Sequence, residues 1–357
     1  MSTTAAALPP TDWFWVRFWH KPVRAERLAL MRIMLTTALL ADQLVQYAPN
    51  LAEFFGPEGV AYAGLWDVRQ LKEWRISYVF FGTDNLFVIY SAFALWVTVT
   101  ILLLVGWQTR WINVLCWLLT RCFLERNPNI IYGADDVLQA AMFLLILTPS
   151  GAAWSLDAWR KRRQGLLEGP VWVPPWSLRI IQIQLCLIYC TSGLAKLKGA
   201  EWGEGFWTTW PEGITLPLLW ERLGQWLRNS QRQWPKGSWW DGTAIHYVIN
   251  DTTMARWAYA RFPIPFWITR IMTYTTVWWE VLFPLLVLSR WSRPYALVFG
   301  IMFHVGVLIT VDIGWFGYYM LSFYAVWVPD SFWQRFDKNP SVAPAAPASQ
   351  HVQTAPR

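Results

Sequence analysis

The sequence predicts an all-α membrane protein, a polytopic bundle of about eight transmembrane helices. Three observations carry this. Hydrophobic residue types make 55% of the chain and charged ones only 15%, against roughly 25% charged in an ordinary soluble domain. The run Leu86 to Val105 has 20 residues and no charge, the length needed to cross the hydrocarbon. The chain also holds 29 Trp, a residue that gathers at membrane interfaces. Lipid leaves free backbone groups unsatisfied, so such runs cross as helices.

The leader "MSTTAAALPPTDW" has no basic region followed by an apolar one, so it does not read as a signal peptide. "DWFWVRFWHKP" (Asp12 to Pro22) is aromatic and basic, as expected of a helix lying in the headgroup layer. The eight spans follow as Leu28 to Tyr47, Leu86 to Val105, Trp111 to Leu124, Val137 to Leu156 with Pro149 in it, Leu178 to Leu197, Trp267 to Leu288, Tyr295 to Val311 and Ile313 to Pro329. The tail "PSVAPAAPASQHVQTAPR" lacks apolar bulk and reads as disordered. The expected organisation is a leader and interfacial helix at 1–27, a transmembrane domain at 28–330 and a disordered tail at 331–357.

Basic residues set the orientation. They collect before the first span, in "WRKRRQG" (Trp159 to Gly165), at Arg290 and Arg293, and at Arg335 and Lys338. With eight spans all four groups fall on one side, which makes both termini cytoplasmic. The expected location is the plasma (inner) membrane if the source is bacterial. The net charge of +7 forms no nucleic-acid-binding stripe, so the expected partner is the lipid bilayer. Residues 198–266 fall on the other side and hold nine Trp. They read as a partly structured extracytoplasmic cap, with "WERLGQWLRNSQRQW" as a surface helix. The absence of an internal repeat disfavours a transporter.

Charges inside spans mark sites or pairs. Lys196 ends the fifth span after the uncharged "IIQIQLCLIYCTSGLA". Steps of three and four residues back from it reach Gly193, Tyr189, Cys186 and Gln182, a polar stripe on one helix face. Lys196 then either snorkels to the surface or serves as a base in a dry pocket. Glu280 shares a face with Thr273 and Thr276 and reads as either paired with a cation such as Arg32 or protonated. Arg32 itself either pairs or snorkels. His304 reads as an interhelical hydrogen-bond partner. The four cysteines read as small apolar residues. No His or Cys spacing suits a metal, so no metal is expected.

Several blocks carry a family resemblance. "RLALMRIMLTTALLADQL", "NPNIIYGADDVLQAAMFLLILTPSGAAWSLD", "YCTSGLAKLKGAEWGEG" and "FHVGVLITVDIGWFGYYML" resemble, in that order, blocks of the horizontally transferred transmembrane (HTTM) family. Its membrane domain is shared with vitamin K-dependent gamma-carboxylases. The resemblance implies that Lys196 matches the proposed base that deprotonates reduced vitamin K, and His304 the late-span histidine. It departs at Asn127-Pro128, where carboxylases carry Asn-His, and "WWDGTAIHYV" offers a second Trp-Asp/Glu-Gly element beside that at Trp202. The implied function is a membrane enzyme with Lys196 as base and Tyr189, His304, Glu280 and Gln182 as substrate-binding residues. Its substrate would be quinol or lipid-like, and reduced quinone is the implied cofactor class. The alternative is a non-catalytic accessory protein for maturation or export of a secreted peptide.

Overall fold

A computed structural model describes residues 18–60, 83–127, 129–198, 220, 223–224 and 238–335. The described chain is mostly helical, with one two-residue antiparallel pair of strands, β1 (Val23–Arg24) and β2 (Trp172–Val173). Helix α1 (Glu26–Asp42) continues through a π-helical turn at Gln43–Tyr47 into α2 (Ala48–Phe55). Then come α3 (Leu86–Val105), α4 (Thr109–Arg126), α5 (Gly133–Leu147), α6 (Leu156–Arg163) and α7 (Trp176–Lys198). The last are α8 (Ala244–Asn250), α9 (Phe266–Leu288), α10 (Arg293–Thr310), α11 (Phe316–Ser322), which runs into a 3-10 turn at Phe323–Trp327, and α12 (Asp330–Gln334).

Among the described residues, five helical stretches are long and apolar enough to cross a membrane: Glu26–Phe55, Leu86–Val105, Trp176–Leu197, Phe266–Leu288 and Arg293–Thr310. They match the first, second, fifth, sixth and seventh expected spans. Their outward faces carry large apolar side chains such as Phe87, Leu285 and Met302, which suits contact with lipid. The third, fourth and eighth expected spans are helical but shorter or more polar. Helix α4 holds Arg110, Arg121, Glu125 and Arg126. Helix α5 stops at Leu147, short of the expected Leu156. The proline at 149 bars the preceding residue from helical geometry, and Thr148 is extended at φ −105° and ψ 155°.

Local chemistry explains the other ends. The Asn85 side chain accepts from the Phe87 N–H at 2.9 Å and caps α3. Gly106 closes the same helix at φ 73°, a left-handed cap that glycine adopts without strain. Between α1, α3 and α4 lies an aromatic core, where Trp96 stacks on Phe123 at 4.6 Å and meets Tyr47 edge-on at 5.2 Å. Arg32 is fully buried and neither snorkels nor pairs with Glu280. It donates to the carbonyls of Ser150 (2.7 Å) and Trp154 (2.6 Å), carbonyls freed because the chain leaves helix after Leu147. The charge therefore ties α1 to the loop before α6.

The surface helix expected at Trp220 to Trp234 lies almost wholly outside the described residues, as do most of the cap, the leader before residue 18 and the tail after 335.

Candidate functional site

Helices α7 and α9 pack closely along the stripe foreseen on α7. Gly193 makes the approach tight. A methyl there would meet the Val281 backbone nitrogen at 2.8 Å and the Glu280 Cβ at 3.0 Å. With that gap closed, Lys196 and Glu280 face one another. The Lys196 amine donates to Glu280 Oε1 at 2.7 Å, to Oε2 at 2.6 Å and to the Ser192 hydroxyl at 2.8 Å. Ser192 stands four residues before Lys196, one turn down the same face. The Lys196 side chain is 12% exposed and that of Glu280 3%.

An aromatic wall covers the pair. The amine sits over the Trp239 ring, 5.1 Å from its centroid, within cation–π range. Trp240 donates its indole N–H to the Leu197 carbonyl at 2.9 Å, satisfying an acceptor at the end of α7. Leu197, Trp239, Trp240, Tyr274, Val277 and Trp278 line a small cleft at this end. The Trp240 copy of the Trp-Asp/Glu-Gly element thus adjoins Lys196, and the Trp202 copy lies outside the described residues.

One polar layer deeper, Tyr189, His304 and Tyr324 form a buried chain. The Tyr189 hydroxyl is 2.6 Å from His304 Nε2 and 2.7 Å from the Tyr324 hydroxyl. The Tyr189 ring packs on Trp279 and Phe283, each with centroids 4.6 Å apart. The Tyr324 hydroxyl lies against Gly300, where any Cβ would strike it.

Of the expected residues, Lys196 and Glu280 touch, and Tyr189 and His304 touch. Gln182 stands apart. It is 14 positions before Lys196, about 21 Å along a helix. There it accepts from Arg179 at 2.7 Å and donates to the Val326 carbonyl at 3.3 Å. Glu280 takes Lys196, not Arg32, because α7 and not α1 packs on its face of α9. Ser192 and Tyr324 were missed by sequence reasoning. The spacing of four between Ser192 and Lys196 was a readable signal, whereas Tyr324 had none. Among the described residues no group of three or more His, Cys, Asp or Glu is placed to hold a metal ion.

No family model, no curated protein and no solved structure matches this chain.

Proposed function

We propose that the chain is an integral membrane protein of the HTTM, carboxylase-like kind. In this reading about eight spans place both termini in the cytoplasm, and the pair Lys196–Glu280 moves a proton on a hydrophobic, quinol-like or lipid-like substrate. The observation that carries the reading is the pair itself. A nearly buried amine lies within 2.7 Å of both oxygens of a more deeply buried carboxylate. Passing one proton from the amine to Glu280 turns two charges into none. The neutral amine then accepts a proton from a substrate hydroxyl, leaving an oxyanion beside the new ammonium. Tyr189 and His304 act as the deeper polar wall, and reduced quinone is the cofactor class the resemblance implies. This topology assigns its remaining spans to α4 and α5 and, after α10, to the stretch of α11 with its 3-10 turn.

One observation favours a second reading. An ammonium has three N–H donors, and Lys196 has three acceptors in Ser192 and Glu280. The pair then serves as a clasp between α7 and α9 in an accessory protein that handles a secreted peptide. The test is Lys196→Ala and Lys196→Arg, assayed for turnover of reduced quinones and for folded yield. The enzyme reading expects both to lose turnover while Lys196→Arg keeps its yield. Turnover at the wild-type rate in both variants refutes it. A fall in yield without loss of turnover supports the clasp.

A further inference from the structure

The opposite end of the bundle holds an arrangement of charge that the proton-handling pair does not use. Arg27 lies in the first turn of α1, Arg179 in the first turn of α7, and Arg293 begins α10. The N-terminal end of a helix is the positive end of its dipole, where a cation is unfavourable and an anion is favoured. Three helices thus present their positive ends, each with an arginine on it. They converge on the chain at 326–330, where Arg27 pairs with Asp330, Gln182, the partner of Arg179, donates to the Val326 carbonyl, and Arg293 lies over the Trp327 ring.

Three acids at this end are already committed. Glu26 takes Arg24 at 2.7 Å and Asp330 takes Arg27 at 2.7 Å. Asp157 accepts from the N–H groups of Gln108 and Thr109, both at 2.8 Å. Among the described residues neither Arg179 nor Arg293 has a carboxylate. Arg179 donates to the Phe18 carbonyl (3.2 Å) and Gln182 (2.7 Å), and lies over the Phe18 ring at 4.1 Å. Arg293 donates to the carbonyls of Val287 (2.7 Å) and Leu288 (3.3 Å). Among the described residues two buried donors at this end stand without an acceptor: the Nε of Arg27, a residue 8% exposed whose Nη2 is the atom paired with Asp330, and the indole nitrogen of Trp327, whose ring lies under Arg293 at 6.0 Å. A buried donor left unpaired is costly, and two beside three guanidiniums call for an anionic acceptor.

Level with these helix starts, Trp19, Trp176, Trp291 and Tyr295 are exposed. Exposed Trp and Tyr rings mark the headgroup layer of a bilayer. From the three arginine-bearing helix ends, the unpaired donors and this ring of aromatics, we infer that the basic end of the bundle binds the phosphate of an anionic phospholipid between α1, α7 and α10.

The test uses the full chain in lipid nanodiscs containing phosphatidylcholine alone or with increasing phosphatidylglycerol. Thermal unfolding and native mass spectrometry of retained lipid are the readouts. Phosphatidylglycerol is expected to raise the unfolding midpoint and to stay bound. Arg179→Gln and Arg293→Gln should each weaken that effect about fivefold. Arg290→Gln, which changes an exposed arginine at the same end, should leave it unchanged, and Arg179→Lys should retain most of it. If a Gln variant does not fold, the wild-type titration and Arg179→Lys still decide. The inference is overturned if the two lipids act alike on the wild type. It is equally overturned if Arg290→Gln weakens binding as much as the others, which would mean diffuse surface charge. Inorganic phosphate reproducing the stabilisation in phosphatidylcholine would make the ligand a free anion and overturn the lipid assignment.

Discussion

Replacing Gly193 by Ala tests whether helix approach sets the Lys196–Glu280 geometry. The added methyl would lie 2.7 Å from Val281 Cγ2 and 2.8 Å from the Val281 backbone nitrogen. The side chain can rotate away, but the backbone nitrogen moves only with α9. Relaxing that contact to an ordinary separation of about 3.5 Å requires roughly 0.7 Å of helix displacement. Carried to the pair, the same displacement stretches a 2.6 Å bond to about 3.3 Å, beyond the range of about 2.7–2.9 Å for a charge-assisted bond. The expected loss of stability is about 1–3 kcal/mol, as for other overpacked interiors. The assay is thermal unfolding followed by Trp fluorescence, together with site-resolved acylation of the Lys196 amine. Gly193→Ala should unfold earlier and label faster at Lys196. Gly306→Ala is the control, since nothing lies within 4 Å of the methyl it adds, and it should be neutral or stabilising by up to about 1 kcal/mol. A Gly193→Ala protein with the wild-type midpoint and labelling rate would refute the reasoning.

Three further experiments probe the buried polar groups. Lys196→Met should cost about 3–5 kcal/mol by leaving Glu280 buried and unpaired, and Lys196→Met with Glu280→Met should recover most of it; a complete double-mutant cycle of unfolding free energies measures the coupling. Gly300→Ala drives a methyl into the Tyr324 hydroxyl and should cost about 1–3 kcal/mol, with part of the loss relieved in a Tyr324→Phe background, as read by thermal midpoints. At Asp42 one oxygen accepts from the Tyr319 hydroxyl at 2.9 Å and the other has no partner among the described residues. Asp42→Asn should therefore be tolerated within about 1 kcal/mol, whereas Tyr319→Phe, which strips the carboxylate of that donor, should cost about 1–3 kcal/mol in chemical unfolding.

The five long helices were legible because each is an uncharged or nearly uncharged run, and hydropathy averages over packing. The shorter elements were less so. The fourth expected span overran because apolar content continues past Pro149, while the backbone restriction before a proline stops the helix. The eighth ran on paper from Ile313 to Pro329 but is a short helix and a 3-10 turn, over residues whose side chains fill the interior around Tyr319, Phe323 and Tyr324. At the site, the inward stripe from Gly193 to Lys196 was legible from helical spacing alone. The partner of Glu280 was not. Arg32 and Lys196 are both cations in apolar helices, and spacing within one helix says nothing about which other helix packs against it. A single glycine on α7 decides that contact, and its effect shows only once α9 is in place.

The buried charges at the two ends follow different rules, and this separates their roles. At the Lys196 end, cation and carboxylate are matched one to one, so the pair is neutral whether the proton rests on nitrogen or on oxygen. Such a pair tolerates burial, and its proton position can change without leaving a net charge in the interior. At the other end, Arg179 and Arg293 have no carboxylate partner among the described residues, and each stands on a positive helix terminus. Arginine does not discharge itself by losing a proton, so an external anion is the ligand we propose for this end. Under the two proposals, one end redistributes a proton internally and the other recruits charge from its surroundings. The distinction can be read from salt dependence. Salt screens exposed charges far more than buried ones. Raising it should weaken the anionic-lipid effect at the arginine end and leave the Lys196–Glu280 coupling energy nearly unchanged. Equal salt sensitivity at both ends would show that the pair is open to solvent and would remove the physical basis for its proton chemistry.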